Sequence, residues 1–154
     1  MSDTQKYPRS LIAIGYWQSQ WRPELPHPKS FINDQVSPGE RKLLIEYLNK
    51  GKVVMYYLGY SYCRFDCGIP DHEMGTACLT DGTYIWPQKL SHYIGVHNVW
   101  LPERFILHTI ENHQYNPFDI DLKSQLAPNG QIDHKRYEIH DYEWWNTCKD
   151  AMQQ

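Results

Sequence analysis

Two thiols and two imidazoles lie close together in this chain, as Cys63-x3-Cys67 and His92-x4-His97. Thiolate and neutral imidazole are the ligands of tetrahedral zinc sites, where one pair commonly comes from a tight turn and the other from a helix. Gly68 and Pro70 mark the cysteine segment as a loop, so the spacing points to a zinc knuckle. The stretch from Cys67 to His92 is longer than in an ordinary zinc finger. On an unbroken helix, residues five apart also point about 140° away from each other. Both histidines therefore reach one metal only if the helix ends between them, which Gly95 would allow. Cys78 and His72 are the reserve ligands. The competing reading makes Cys63, Cys67 and Cys78 small buried hydrophobes, since free cysteine is among the most buried residue types. A dithiol redox centre fits less well, because the spacing is x3 and not x2. Nothing local marks a cysteine–histidine nucleophile.

Other side chains invite a role. Arg64 stands between the two cysteines and could hold a carboxylate through two parallel hydrogen bonds. Asp81 precedes Gly82 and reads first as a turn residue. Trp86 belongs to the core. Trp100, before Leu101-Pro102, reads as partly exposed and is a candidate binding residue. Asp119 and Asp121 alternate with apolar residues, which describes a solvated edge strand unless a third ligand joins them.

These residues need elements to hold them. Ser37-Pro38-Gly39-Glu40 is a capping box with proline at the first helical position. Leu43, Leu44, Tyr47 and Leu48 follow at helical spacing, and Gly51 suits a left-handed residue past the helix end. Residues 53–59 are β-branched and aromatic, hence a strand. Residues 76–86 read as a hairpin, with Asp81-Gly82 in a type I′ turn. The three strands, about 53–59, 76–80 and 83–86, form an antiparallel sheet. Pro87 opens a helix to about residue 96, with Leu90, Tyr93, Ile94 and His97 on one face. Pro102 opens another, with Leu101, Phe105 and His108 inward, and Asn116-Pro117 ends it. Pro128-Asn129-Gly130 is a turn, and a last helix covers 141–151 with Trp144, Trp145 and Cys148 on its apolar side. The run from Leu11 to Trp17 is too short to assign. The polar first ten residues read as frayed, and Trp21 to Pro28, with three prolines, reads as extended. The predicted architecture is one α+β domain, a small antiparallel sheet with helices packed mainly on one side.

Composition narrows the function. The net charge is −3, and no run of basic residues exceeds two, so a nucleic-acid partner is not expected. No apolar stretch is long enough to span a bilayer, and no secretory leader is recognisable. The chain reads as cytoplasmic, where cysteines serve as thiols or metal ligands and not as disulfides. Tyrosine and tryptophan, 12 and 6 against 4 phenylalanines, suit half-buried surfaces that meet another protein.

The string CR-x2-CG at 63–68, Met74-Gly75, LTDG-x3-WP at 79–87, L-x-HY at 90–93 and H-x-V-x-LP-x2-F at 97–105 resembles a family of small, uncharacterised bacterial proteins. The likeness covers less than a third of the chain and carries no activity. Members of such families sit as lone cytosolic proteins or near toxin loci, so the resemblance is compatible with an immunity-type role. Gln88-Lys89 stands where the pattern has Glu-Gly, and Trp100 where it has arginine, which removes a charged contact there. Two functional classes follow. One is a cytosolic binding protein of immunity type that neutralises a partner toxin. The other is a metal-dependent hydrolase built on the Cys/His cluster.

Overall fold

The computed structural model describes residues 10–121 and 140–152. The predicted turn at Pro128-Asn129-Gly130 and the polar residues at the start lie outside the described residues. The elements run in chain order β1 (Leu11–Ala13), α1 (Pro38–Asn49), β2 (Lys52–Tyr56), α2 (Asp71–Met74), β3 (Ala77–Thr80), β4 (Tyr84–Pro87), α3 (Leu90–Val96), α4 (Glu103–Glu111), β5 (His140–Asp141) and α5 (Glu143–Met152). Short 3-10 turns at Pro28–Phe31 and Pro117–Asp119 complete the path. No described helix is long and apolar enough to cross a membrane.

The fold is α+β, with one five-stranded sheet in the order β2-β3-β4-β1-β5. The three expected strands pair antiparallel, Val53 with Leu79 and Leu79 with Trp86, but β2 ends at Tyr56 and does not run on to residue 59. Two further strands make the sheet mixed, because β1 runs parallel to both β4 and β5. The short apolar run at Leu11 is thus a strand, placed by partners more than seventy residues away and not by its own periodicity.

Paired residues share a face of the sheet. Trp86 and Tyr84 lie on the helical side. The Trp86 indole donates to the Leu48 carbonyl at the end of α1 and packs edge-on against Phe105 of α4. Tyr84 meets Phe105 and Trp144 of α5. Further out, Trp145 is fully buried between Trp17 and Phe31, and its indole donates to the Tyr16 carbonyl at 2.7 Å.

Local chemistry explains the element ends. Ser37 Oγ accepts from the Glu40 amide at 3.2 Å, and Glu40 reaches back to the Ser37 amide, so the capping box forms. Of the predicted α1 stripe, Leu44, Tyr47 and Leu48 are buried, but Leu43 is 69% exposed. Gly51 does not take the left-handed conformation; it is needed for close approach. A Cβ there would lie 2.8 Å from Leu79 Cβ and 2.9 Å from Trp86 Cζ2. The hairpin turn has only Gly82 at positive φ, 99°, so it is not type I′. Side chains build it instead. Asp81 Oδ1 accepts from the Thr83 and Tyr84 amides, and Thr80 Oγ1 accepts from the Gly82 amide while donating to the Tyr84 carbonyl. Pro87 closes β4 and does not open α3, because its position opposite Cys78 extends the ladder. Asp119 sits in a 3-10 turn, not an edge strand.

Candidate metal centre

Residues 63–68 form a compact knuckle. The Asp66 amide donates to the Cys63 carbonyl at 3.1 Å, and the Phe65 amide donates to Cys63 Sγ at 3.4 Å. Asp66 and Gly68 take positive φ, 54° and 96°, which turns the chain tightly enough to bring Cys67 back over Cys63. The two sulfurs lie 3.7 Å apart.

The histidines arrive from α3 by a route that glycine does not provide. The helix runs through Gly95 and ends at Val96, leaving His97 as the C-cap with φ −114° and ψ 12°. Asn98 follows in the left-handed region, and the Val99 amide turns back to the Tyr93 carbonyl at 3.1 Å. His92 and His97 therefore face the same point, with ring centroids 5.0 Å apart. Phe65 of the knuckle stacks on the His97 ring at 4.4 Å, and the Tyr93 hydroxyl accepts from the Arg64 amide and donates to the Tyr62 carbonyl. These contacts hold the knuckle against α3.

The four side chains form one set. Cys63 Sγ is 3.3 Å from His97 Nε2, Cys67 Sγ is 3.5 Å from His92 Nε2, and all four donor atoms lie within 4.8 Å of one another. A tetrahedron with zinc bonds of about 2.0–2.3 Å has edges of about 3.3–3.8 Å, and the Cys63–His97, Cys67–His92 and Cys63–Cys67 separations match it. Cys63 is buried, His92 and His97 are half-buried and Cys67 is exposed. This Cys2His2 cluster could hold a metal ion. Burial keeps both imidazoles below their ordinary range, His92 further helped by its neighbour His97. Both rings are thus neutral at physiological pH, the form in which an imidazole can bind a metal. Burial also raises the Cys63 thiol, so a bound cation would be needed to draw off its proton.

The reserve ligands lie elsewhere. His72 is exposed on α2 beside Tyr60, and Cys78 is fully buried in β3. Cys78 Sγ accepts from the Tyr16 hydroxyl at 3.1 Å and lies 3.9 Å from His140 Nε2. Burial pushes this thiol up to about 11 and His140 down to about 4. Near neutral pH both stay uncharged, so the pair lacks the thiolate that nucleophilic attack requires. Arg64 gives its guanidinium to the Gln18, Tyr62 and Trp17 carbonyls and stacks over the Tyr62 ring. It clasps the knuckle loop to the segment after β1. Trp100 is half-buried, with the Arg41 guanidinium 5.8 Å from its ring centroid. Asp119 and Asp121 do not join any described metal-ligating set.

One polar network escaped the sequence reading. Asp81 is only 6% exposed, and its Oδ2 accepts from the Tyr47 hydroxyl and lies 2.8 Å from His108 Nε2, while Asn112 donates to the Tyr47 oxygen. The signal was present as His108 on the inner stripe of α4, a polar group that had to find a buried partner.

A scan of family models, a search of curated proteins and a search of solved structures each return no match.

Proposed function

We propose that the chain is a metal-tethered binding protein, in which Cys63, Cys67, His92 and His97 hold a zinc ion and the groove between α1 and α4 receives a partner protein. The observation that carries this reading is the count of donors at one point: four protein ligands. Sites with four protein ligands are closed and structural, whereas catalytic zinc sites keep three and leave a position for water. The donor set therefore favours a structural metal, and with it the binding protein over the metal-dependent hydrolase. Bound zinc supplies a crosslink between the knuckle and the end of α3. Free cysteines as metal ligands suit the reducing cytosol.

The α1–α4 groove has a volume of about 560 Å³ and is lined by Leu43, Trp100, Ile106 and Ile110, with Glu40, Glu46, Lys50 and His113 also contributing. Leu43 and Ile110 are 69% and 61% exposed, so adjacent helices present apolar side chains to solvent. Trp100 supplies the large amphipathic anchor common at the centre of protein interfaces. A partner with apolar side chains fits this surface, and a toxin held by an immunity-type protein is the partner class that the family resemblance implies.

Cobalt substitution separates the two functional classes. The cobalt-loaded protein should show the absorption of a tetrahedral site with two thiolates, unchanged by added azide. A new band with azide would reveal an exchangeable position and return the hydrolase reading.

A further inference from the structure

The two thiols of the metal centre are not equivalent. Cys67 is exposed, whereas Cys63, Cys78 and Cys148 are buried. Burial also pushes the Cys78 and Cys148 thiols up to about 11, which keeps them protonated and unreactive near neutral pH. These two sulfurs have other partners, the Tyr16 hydroxyl for Cys78 and the Trp144 carbonyl for Cys148. An oxidant in solvent therefore meets Cys67 first, and the sulfur beside it is Cys63 Sγ at 3.7 Å. Disulfide sulfurs lie about 2.05 Å apart, so the pair must close by about 1.7 Å.

The knuckle offers that movement from one side. Cys63 is anchored: its Sγ accepts from the Phe65 amide at 3.4 Å, and its carbonyl accepts from the Asp66 amide at 3.1 Å. The chain past Cys67 is open. Gly68 follows at φ 96°, and a Cβ there would meet nothing within 4 Å. Exposure of Cys67 and open space at Gly68 leave the loop room to close on Cys63.

Resting on the zinc centre proposed above, we propose that Cys63 and Cys67 make it a peroxide-operated switch, in which oxidation joins the two sulfurs and releases the metal. Both sulfurs are thiolates when they ligate zinc. The exposed Cys67 thiolate attacks hydrogen peroxide: an S–O bond forms, the O–O bond breaks, and the departing hydroxide takes a proton from solvent. The Cys63 thiolate then attacks the sulfenic sulfur of Cys67. The S–S bond forms, the S–O bond breaks, and the second hydroxide also leaves as water after taking a proton. Two electrons have passed from the sulfurs to the peroxide, which ends as two waters. A disulfide has no thiolate to offer, so only His92 and His97 remain of the donor set, and zinc departs as the hydrated ion. The crosslink between the knuckle and the end of α3 goes with it. A thiol reductant restores both ligands.

The test adds one equivalent of hydrogen peroxide to the reduced, zinc-loaded protein. Released zinc is read with a colorimetric chelator, and the products by intact mass and peptide mapping. The proposal expects loss of the bound zinc, a chain about 2 Da lighter than its reduced metal-free form, a peptide crosslinked between Cys63 and Cys67, and zinc uptake restored by dithiothreitol. Cys63→Ser leaves Cys67 without its neighbouring thiol, so Cys67 should persist as a sulfenic acid that dimedone traps. Cys67→Ser should trap at least about tenfold less dimedone under the same peroxide. Zinc retained under peroxide, dimedone on Cys63 ahead of Cys67, or a sulfinic Cys67 beside a reduced Cys63 would each overturn the switch and leave the zinc centre standing. A chain that takes up no zinc before peroxide is added overturns both.

Discussion

Cys63 Sγ and His97 Nε2 stand 3.3 Å apart, although one lies in a loop that leaves β2 and the other caps α3. Their meeting depends on where α3 stops. One more turn of helix would carry His97 away from His92. The helix ends at Val96, Asn98 takes φ 58°, and the imidazole of the capping residue swings back toward the knuckle. The cap is therefore part of the site.

Two glycines should fail for different reasons. Gly51→Ala would place a methyl 2.8 Å from Leu79 Cβ, and overpacking of that kind costs about 1–3 kcal/mol. A Cβ at Gly82 would make only ordinary contact, 3.8 Å from Ile120 Cγ2, but its φ is 99°, so Gly82→Val should be clearly worse than Gly82→Asn. Denaturant melts of the three variants check both statements, and equal stability of the two Gly82 variants would remove the backbone argument.

Asp81 predicts an acid limb of stability. Burial opposes its charge, but the His108 ring, the Tyr47 hydroxyl and the Tyr84 and Thr83 amides outweigh that and hold its carboxyl below the ordinary range. A carboxylate with a depressed folded pKa contributes stability above its unfolded value, about 3.9, and loses it as pH falls through the lower folded value. Asp81→Asn should cost about 1–3 kcal/mol near neutral pH, with a smaller difference from the native protein below pH 4. A difference that does not shrink in acid would contradict this linkage.

The helix cap is a local test. Ser37→Ala should destabilise by about 1 kcal/mol in a thermal or chemical melt, because it removes the acceptor of the Glu40 amide. No change would mean that tertiary contacts alone hold the start of α1.

Ser37 and Glu40 were legible because a capping box is a short-range pattern. The ligand set was legible for the same reason, as two close pairs of the right residue types. What the sequence could not show was non-local. β1 has three residues, and its place between β4 and β5 depends on strands far along the chain. Gly51 does follow the end of α1, but what it is needed for is close approach to Leu79 and Trp86 and not a left-handed turn. Arg64 looked available to a carboxylate, but three main-chain carbonyls take its donors. Leu43 fitted the inner stripe by spacing alone, yet faces solvent, which places it in the proposed groove.

That groove makes its own prediction. Leu43→Asp, at an exposed helix position, should leave stability within about 0.5 kcal/mol. It should also abolish capture of any protein that the native chain binds stoichiometrically, whereas Glu73→Lys, at an exposed position on α2, should not. Capture that survives Leu43→Asp would put the partner on another surface.

The metal centre is tested most directly by native mass spectrometry of the protein purified with zinc present, alongside Cys63→Ser. The native chain should carry one zinc per molecule, lost to a chelator, while the variant should carry none under the same conditions. A native chain that stays at its metal-free mass in excess zinc, or a variant that holds zinc equally well, would contradict a centre built from Cys63, Cys67, His92 and His97.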